Sequence, residues 1–359
     1  MNRLTLAVAG GRKTSSIVDA CCQGGTEDRI LVLTFTQANQ RELSDRLAAR
    51  WPHQARIDVQ GWFSFLLAHW VRPYLPRLFA GQRLRGLNFE GDPGYVAGLT
   101  RFLDPEQRAY RRHLARLAHE VNTAATGAVI DRLSRLYEAI YVDEVQDLGG
   151  WDLELLEVLM VSAIDLYLVG DARQALLSTN VRDQKNPQYR GIKIVDWFRK
   201  QEQAGRLEIT HQHSTWRSSQ EIATLADGVI DPTLGFPATR SQAPTVAGHR
   251  GIFTVRIADA ERYAEAHGAL CLRSQSNLGN ACALPYTTFG DAKGMEANHV
   301  LIWPTAPIAK HLTDRSVLKP KSACGLYVAI TRARASVAFI TDRDLGFPVW
   351  AAEEEGAPN

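Results

Sequence analysis

Short apolar runs, each followed by a stretch with helical spacing, constrain this chain more than any other feature. Leu4–Ala9, Ile30–Phe35, Ala139–Val142 and Leu166–Val169 are such runs, and each ends in small or polar residues. Strands of this kind are covered on both faces, the condition of a parallel sheet flanked by helices. Between them, Gln37–Arg50 and Trp151–Val161 carry the period of helices. The alternation predicts an open α/β sheet. A second set, Leu207–Thr210, Phe253–Ile257, Ala269–Leu272, Val300–Trp303 and Val337–Thr341, predicts a second α/β domain beginning near residue 200. The section from about 70 to 135 breaks the pattern. It is rich in Arg and Leu ("RAYRRHLARLAHE"), lacks clear strands and reads as a mostly helical insertion. The predicted organisation is a first domain of 1–69 and 136–198, an insertion of 70–135, a second domain of 199–350 and a flexible tail of 351–359.

Composition narrows the class without naming it. The chain is 359 residues long, 45% hydrophobic and 22% charged, enough apolar content for a sizeable core in two or three domains. A net charge of +2 does not announce a nucleic-acid binder, and a basic groove is compatible with it. "MNRLTLAVAGG" is too short an apolar run for a secretory core, and no run is long enough for a membrane span. The five cysteines form no Cys-x-x-Cys pair and no zinc spacing, so reduced thiols in a cytoplasmic protein are expected.

Three segments carry chemistry. "AVAGGRKTSS" follows the first predicted strand. Gly10 and Gly11 allow the backbone to curl its N–H groups toward an anion, and the next helix adds its dipole. Lys13 would reach outer phosphates and Thr14 would hold Mg²⁺. Arg12 stands where such loops carry glycine, so a plain strand-to-helix turn is the alternative. In "YEAIYVDEVQD" an apolar strand delivers Asp143 and Glu144 at its carboxyl end. An Asp there suits Mg²⁺, and a neighbouring Glu can take a proton from an attacking water. In "LYLVGDARQ" another strand ends at Gly170-Asp171, with Gln174 placed to sense a γ-phosphate or position water.

These segments, with others in the same order, resemble the UvrD/Rep/PcrA group of superfamily 1 DNA helicases. "ILVLTFTQANQREL" (30–43) is similar to that family's first DNA-contacting motif, "VDEVQD" (142–147) to its Asp-Glu-x-Gln-Asp box and "VGDARQ" (169–174) to its Gly-Asp-x-x-Gln motif. "STWRSSQEI" (214–222) is similar to its Tyr-Arg-Ser motif, "TTFGDAKGMEANHVLI" (287–302) to its Lys-Gly-Leu-Glu motif and "YVAITRARASV" (327–337) to its Thr-Arg-Ala motif. The resemblance implies two tandem RecA-like P-loop domains with parallel sheets and a small helical insertion. It implies ATP and Mg²⁺ as cofactors, hydrolysis at the cleft between the two domains and 3′-to-5′ movement on single-stranded DNA, with RNA left open. A nuclease or another protein subunit stays open as a partner, and no membrane is expected.

Residue by residue, the resemblance makes Lys13, Asp143, Glu144, Gln174, Arg217 and Arg332 catalytic, with Thr14 and Asp143 on the metal. The nucleotide set is Ala9, Gly10, Gly11, Arg12, Lys13, Thr14, Ser15, Trp216, Gly294 and Glu296. Trp216 takes the place of an adenine-stacking aromatic, with a core Trp as the alternative. Glu296 takes that of a ribose acceptor, with a solvated surface charge as the alternative. For nucleic acid, Thr34 and Thr36 would bond phosphates, while Phe35 and Trp62 would offer faces to bases, core packing being the alternative for the aromatics.

The departures are as specific as the matches. Arg12 replaces the loop glycine, "ALLSTN" after Gln174 lacks the family's base-stacking Trp, and Gly290 replaces a DNA-contacting His. Asn277–Pro285, nine residues, is all that stands where the family carries its second large insertion. A compact motor that moves on single strands but unwinds poorly alone is one expectation. A nucleotide-gated nucleic-acid-binding subunit of a larger complex, for repair, nuclease action or phage defence, is the alternative.

Overall fold

The computed structural model describes residues 2–23, 28–50, 56–179 and 183–351. The tail expected at 351–359 lies outside them except for Ala351. Contacts divide the chain into two compact units. The first contains Met1–Leu6, Lys13–Gly170 and Ser178–Thr210; the second contains Ala7–Arg12, Asp171–Leu177 and His211–Asn359. Each is described by itself.

The first unit follows the predicted alternation: β1 (Arg3–Ala7), α1 (Lys13–Gln23), β2 (Ile30–Thr34), α2 (Gln37–Arg50) and β3 (Ile57–Gly61). The short α3 (Trp62–Phe65) continues through a π-helical turn, Leu66–Val71, into α4 (Arg72–Leu78). The insertion adds β4 (Gly86–Asn88), α5 (Leu99–Phe102), β5 (Arg108–Tyr110), α6 (Leu114–Ala124) and α7 (Ala128–Leu136). β6 (Ala139–Val142), α8 (Trp151–Met160), β7 (Asp165–Gly170), α9 (Ile194–Gln203) and β8 (Glu208–Gln212) complete it. The sheet order is β3-β2-β6-β7-β1-β8. The pairs from β3 through β1 are parallel, with β1 beside β7 and β6 between β7 and β2. β2 is buried at every position. α1 and α2 cover it with Ile17, Val18, Cys21, Leu43 and Leu47, which form one core with Ile30, Val32, Tyr141 and Val169. Thr36 starts α2 as its cap, its hydroxyl accepting the Asn39 N–H at 3.1 Å.

Two findings differ from the sequence reading. The strand at Leu207–Thr210, assigned to the second domain, lies instead at the edge of the first sheet. There the Glu208 N–H donates to the Asn2 carbonyl at 3.1 Å and Thr210 faces Thr5 at 3.2 Å. A five-residue strand does not announce which sheet edge it will join. The insertion is helical as expected on its α6 face, with Leu114, Leu117, Ala118 and Val121 buried. It also holds a small parallel ladder, β4 against β5. The ladder is organised by a buried carboxylate: Asp104 accepts from the Arg108 N–H, the Arg108 Nε and the Asn88 amide, each at 2.8 Å. Three-residue strands held by a side chain leave no periodic trace.

The second unit holds the pair β9 (Ser214–Thr215) and β10 (Arg240–Ser241), with α10 (Gln220–Asp227) between them in sequence. Its main sheet is built from β11 (Gly251–Val255), β12 (Leu270–Arg273), β13 (Thr287–Thr288), β14 (Ala297–Trp303) and β15 (Ala333–Ile340). α11 (Ala260–His267), α12 (Ala306–Asp314) and α13 (Pro320–Ile330) are its helices. The order is β11-β15-β14-β12-β13, parallel throughout. The chain is thus a mixed α/β protein with two parallel sheets. Among the described residues no helix is long and apolar enough to cross a membrane. The five cysteines are free, four of them buried, and burial above all pushes the Cys21 thiol up to about 12.

Candidate nucleotide and nucleic-acid site

In a parallel sheet all carboxyl ends lie on one edge, and ligands bind beyond that edge. In the first unit the chain leaves β1 into the glycine loop, and β6 and β7 end on the same edge at Val142 and Gly170. α1 opens at Lys13, so Lys13, Thr14 and Ser15 occupy its first turn, where backbone N–H groups and the dipole favour an anion. Ser15 accepts from Arg46 at 3.2 Å.

The acidic pair sits directly after β6. Asp143 is 3% exposed, and its carboxylate accepts the Glu144 N–H at 2.9 Å. Glu144 has φ 52, a left-handed backbone rare outside glycine, and its carboxylate accepts from the buried Gln146 amide. Gly170 lets the end of β7 pass close to this box. A Cβ there would collide with Gln146 Oε1 and lie 3.0 Å from Val145 Cγ1. That is a packing reason for the Gly in "VGD". Among the described residues no group of three or more His, Cys, Asp or Glu could hold a metal ion. Thr14 and Asp143 are nevertheless hard oxygen donors of the kind that bind Mg²⁺ together with phosphate oxygens.

The expected nucleic-acid positions separate. Thr36 is exposed and Phe35 is partly so. Thr34 is 0% exposed, its hydroxyl buried without a hydrogen-bond partner. Trp62 is 1% exposed and donates its indole N–H to Asp152 at 2.8 Å. Trp62 is therefore a core residue with no face open to a base, because burying the indole requires the carboxylate it bonds. Thr34 likewise presents no hydroxyl to a phosphate. Phe35 packs on Trp62 at 6.3 Å and is partly exposed.

The second unit gathers the first half of the loop with three motif segments. Gly10 has φ 69, and a Cβ there would lie 2.6 Å from both Thr215 Oγ1 and Arg217 Cβ. Gly11 likewise has no room, since its Cβ would lie 2.8 Å from the Val8 carbonyl. The Ala9 carbonyl accepts from Thr215 Oγ1 at 2.8 Å, and the Gly10 carbonyl accepts the Trp216 N–H at 3.0 Å. Arg12 has φ 58, the conformation glycine usually supplies, and its guanidinium lies over the Trp216 ring at 4.4 Å. Trp216 is thus a half-buried platform covered by Arg12 rather than a core Trp.

Gln174, Arg217, Glu296 and Arg332 belong to one polar array. Arg332 is 2% exposed and donates to Gln174 Oε1 at 3.3 Å, to the Val328 carbonyl at 3.0 Å and to the Met295 carbonyl at 3.2 Å. Arg217 donates to the Thr331 carbonyl at 3.2 Å and pairs with Glu296, which also takes Arg334 at 2.7 Å. Glu296 is thus an exposed carboxylate that pairs with two arginines. Burial alone would raise its pKa, but hydrogen bonds from Arg334 and the charge of Arg217 hold it below the usual range. Gly294 is exposed with φ 91, and no atom stands within 4 Å of where its Cβ would lie.

Sequence reasoning missed the residues at the centre of this array. Asp171, 2% exposed, accepts from Arg173 Nε at 3.0 Å, Gln174 Nε2 at 3.0 Å and the Tyr327 hydroxyl at 3.1 Å. Arg173 also bonds Asp227 at 3.1 Å. Asp171, Arg173 and Tyr327 all stand inside the quoted motifs; only their mutual bonding was invisible. A cavity of ≈ 850 Å³ also opens in this unit, lined among others by Ser274, Thr288, Phe289, Thr305, Lys319 and Lys321. Nothing in the sequence pattern marked it.

No family model matches the chain, and no curated protein matches it by sequence. Solved structures do. One is the arterivirus nonstructural protein 10 helicase, at 14% identity, 95% of this chain, 59% of that chain and a TM-score of 0.48. Another is the same helicase in complex with DNA, at 12% identity, 96% of this chain, 61% of that chain and a TM-score of 0.50. The chain thus spans about three-fifths of the length of those helicases. The class the fold defines is mixed α/β, each unit built on its own parallel sheet, and the structure solved with DNA shares that fold. The likeness to the arterivirus helicase, at this identity, is one of fold.

Proposed function

We propose that this chain is a nucleic-acid-dependent ATPase of the superfamily 1, UvrD-like type, a translocase on single-stranded DNA. The observation that carries the reading is the strand order of the first sheet. It puts β1, which leads toward Lys13 and Thr14 at the start of α1, in the same parallel sheet as β6, which ends at the Asp143–Glu144 pair, with Gly170 at the end of the strand between. Lys13 would hold the outer phosphates and Thr14 with Asp143 the Mg²⁺, which would draw charge from the transferred phosphoryl group. Glu144 would take the proton of the attacking water. Gln174, Arg217 and Arg332 would sense the γ-phosphate, a role for which arginine can contribute about a thousandfold in turnover.

The reading of single-stranded nucleic acid is supported by the exposed Thr36, the partly exposed Phe35 and the cavity carrying Lys319 and Lys321. Movement from 3′ to 5′, and DNA rather than RNA, rest on the sequence resemblance alone. Phosphate release measured with and without oligothymidylate tests the reading. Lys13→Ala and Glu144→Gln are each expected to abolish stimulated turnover; full activity in either sinks the assignment. Arg12 over Trp216 favours one second reading, a nucleotide-gated binding subunit that turns over little. Nucleotide-dependent DNA binding without phosphate release would support it.

A further inference from the structure

Tyr327 stands in the last turn of α13 and is 1% exposed. Its hydroxyl accepts the Ala9 N–H at 3.2 Å and bonds Asp171 Oδ2 at 3.1 Å. An amide N–H can only donate, so the phenol proton is directed at the carboxylate. Asp171 Oδ2 also takes the Gln174 amide at 3.0 Å, while Asp171 Oδ1 is held by the Arg173 N–H and Nε at 3.2 and 3.0 Å. With its amide nitrogen on Asp171, Gln174 presents Oε1 to Arg332 at 3.3 Å. Five groups thus stand in series: loop amide, phenol, carboxylate, amide and guanidinium. All belong to the second unit, and none of their residues is more than 4% exposed. Buried polar groups in such a series are stiff, because each bond lost leaves an unsolvated partner.

Burial above all holds the phenol far above its ordinary range, so it stays a protonated donor through any assay pH. The ring is seated separately, beneath the Arg173 guanidinium at 4.8 Å. The hydroxyl can therefore be removed without unseating the side chain.

We propose that Tyr327 is a positioning residue that couples the phosphate loop to the Gln174–Arg332 pair. A displacement of the loop backbone at Ala9 changes the hold of the hydroxyl on Asp171 Oδ2, and that oxygen sets the aim of Gln174 and Arg332. The inference rests on the ATPase reading above.

The test is Tyr327→Phe beside Gln174→Ala and the double variant. Phosphate release is measured over a range of ATP with and without oligothymidylate, together with binding of a fluorescent ATP analogue and melting temperature. Tyr327→Phe is expected to lower stimulated kcat about tenfold, with analogue Kd within threefold and melting within a few degrees of wild type. The double variant is expected to lose no more than Gln174→Ala alone, because both act through one oxygen. Unchanged kcat, losses that multiply in the double variant, or a fall in kcat tracking a lower melting temperature would each overturn the coupling. An inert wild type would overturn the ATPase reading and the coupling with it; an active wild type with a normal Tyr327→Phe overturns the coupling alone.

Discussion

Arg12→Gly is the most informative single substitution, because two opposing effects can be weighed from the structure. Arg12 already has φ 58, so the loop holds the shape a glycine would take there. A side chain in that region costs about 1–2 kcal/mol. Against this, the guanidinium over Trp216 at 4.4 Å contributes about 0.5–1 kcal/mol at a site open to water. Glycine relieves the first and forfeits the second, leaving a net change of about 1.5 kcal/mol or less. Since about 1.4 kcal/mol is tenfold in an equilibrium constant, ATP affinity and kcat/KM are expected to move by about tenfold or less. Arg12→Ala keeps the strained conformation and loses the stack, so it is expected to be the weaker variant. A cycle with Trp216→Ala should return a coupling of about 0.5–1 kcal/mol. Steady-state kcat/KM for ATP and analogue Kd read both. A gain of a hundredfold or more in Arg12→Gly would refute the reasoning, for it would mean that the natural loop is not held in the glycine shape.

Two further outcomes follow from the second unit. Glu296→Gln removes the carboxylate charge shared by Arg217 and Arg334 and is expected to cost about 1–2 kcal/mol in urea unfolding, Arg334→Gln much less because that side chain is 52% exposed; equal losses would contradict the assigned pairing. His249, hydrogen-bonded to Tyr263 at 3.0 Å and stacked on His267 at 4.0 Å, is pushed down to about 4 by burial and then by the His267 and His299 charges. Because this folded-state value lies below the ordinary 6.5, stability is full above pH 6.5 and is lost as pH falls from there through about 4. Around the imidazole stand Tyr263 of α11, His267, His299 of β14 and, through Tyr263, Ser336 of β15. His249→Gln should flatten the acid limb of a pH–melting curve, and an unchanged limb would reject the assignment.

Most of the fold was legible because parallel strands buried on both faces write themselves as unbroken apolar runs. Ile30–Thr34 and Val337–Ile340 are examples, buried at every position. The strand at Glu208–Gln212 was legible as a strand but not as a neighbour of β1, since pairing is a relation between distant residues. The ladder of β4 and β5 was not legible at all, being set by the Asp104 carboxylate.

The candidate site divides in the same way. The loop, the acidic pair after β6 and the arginines could be picked out as candidates from the sequence alone, because the proposed chemistry needs particular residue types at fixed local offsets. Only tertiary structure decided what each side chain meets. It sent Trp62 and Thr34 into the interior, laid Arg12 on Trp216, joined Glu296 to Arg217 and set Tyr327 between Ala9 and Asp171. Burial and hydrogen-bond partnership come from residues far apart in the chain, and no local pattern encodes them.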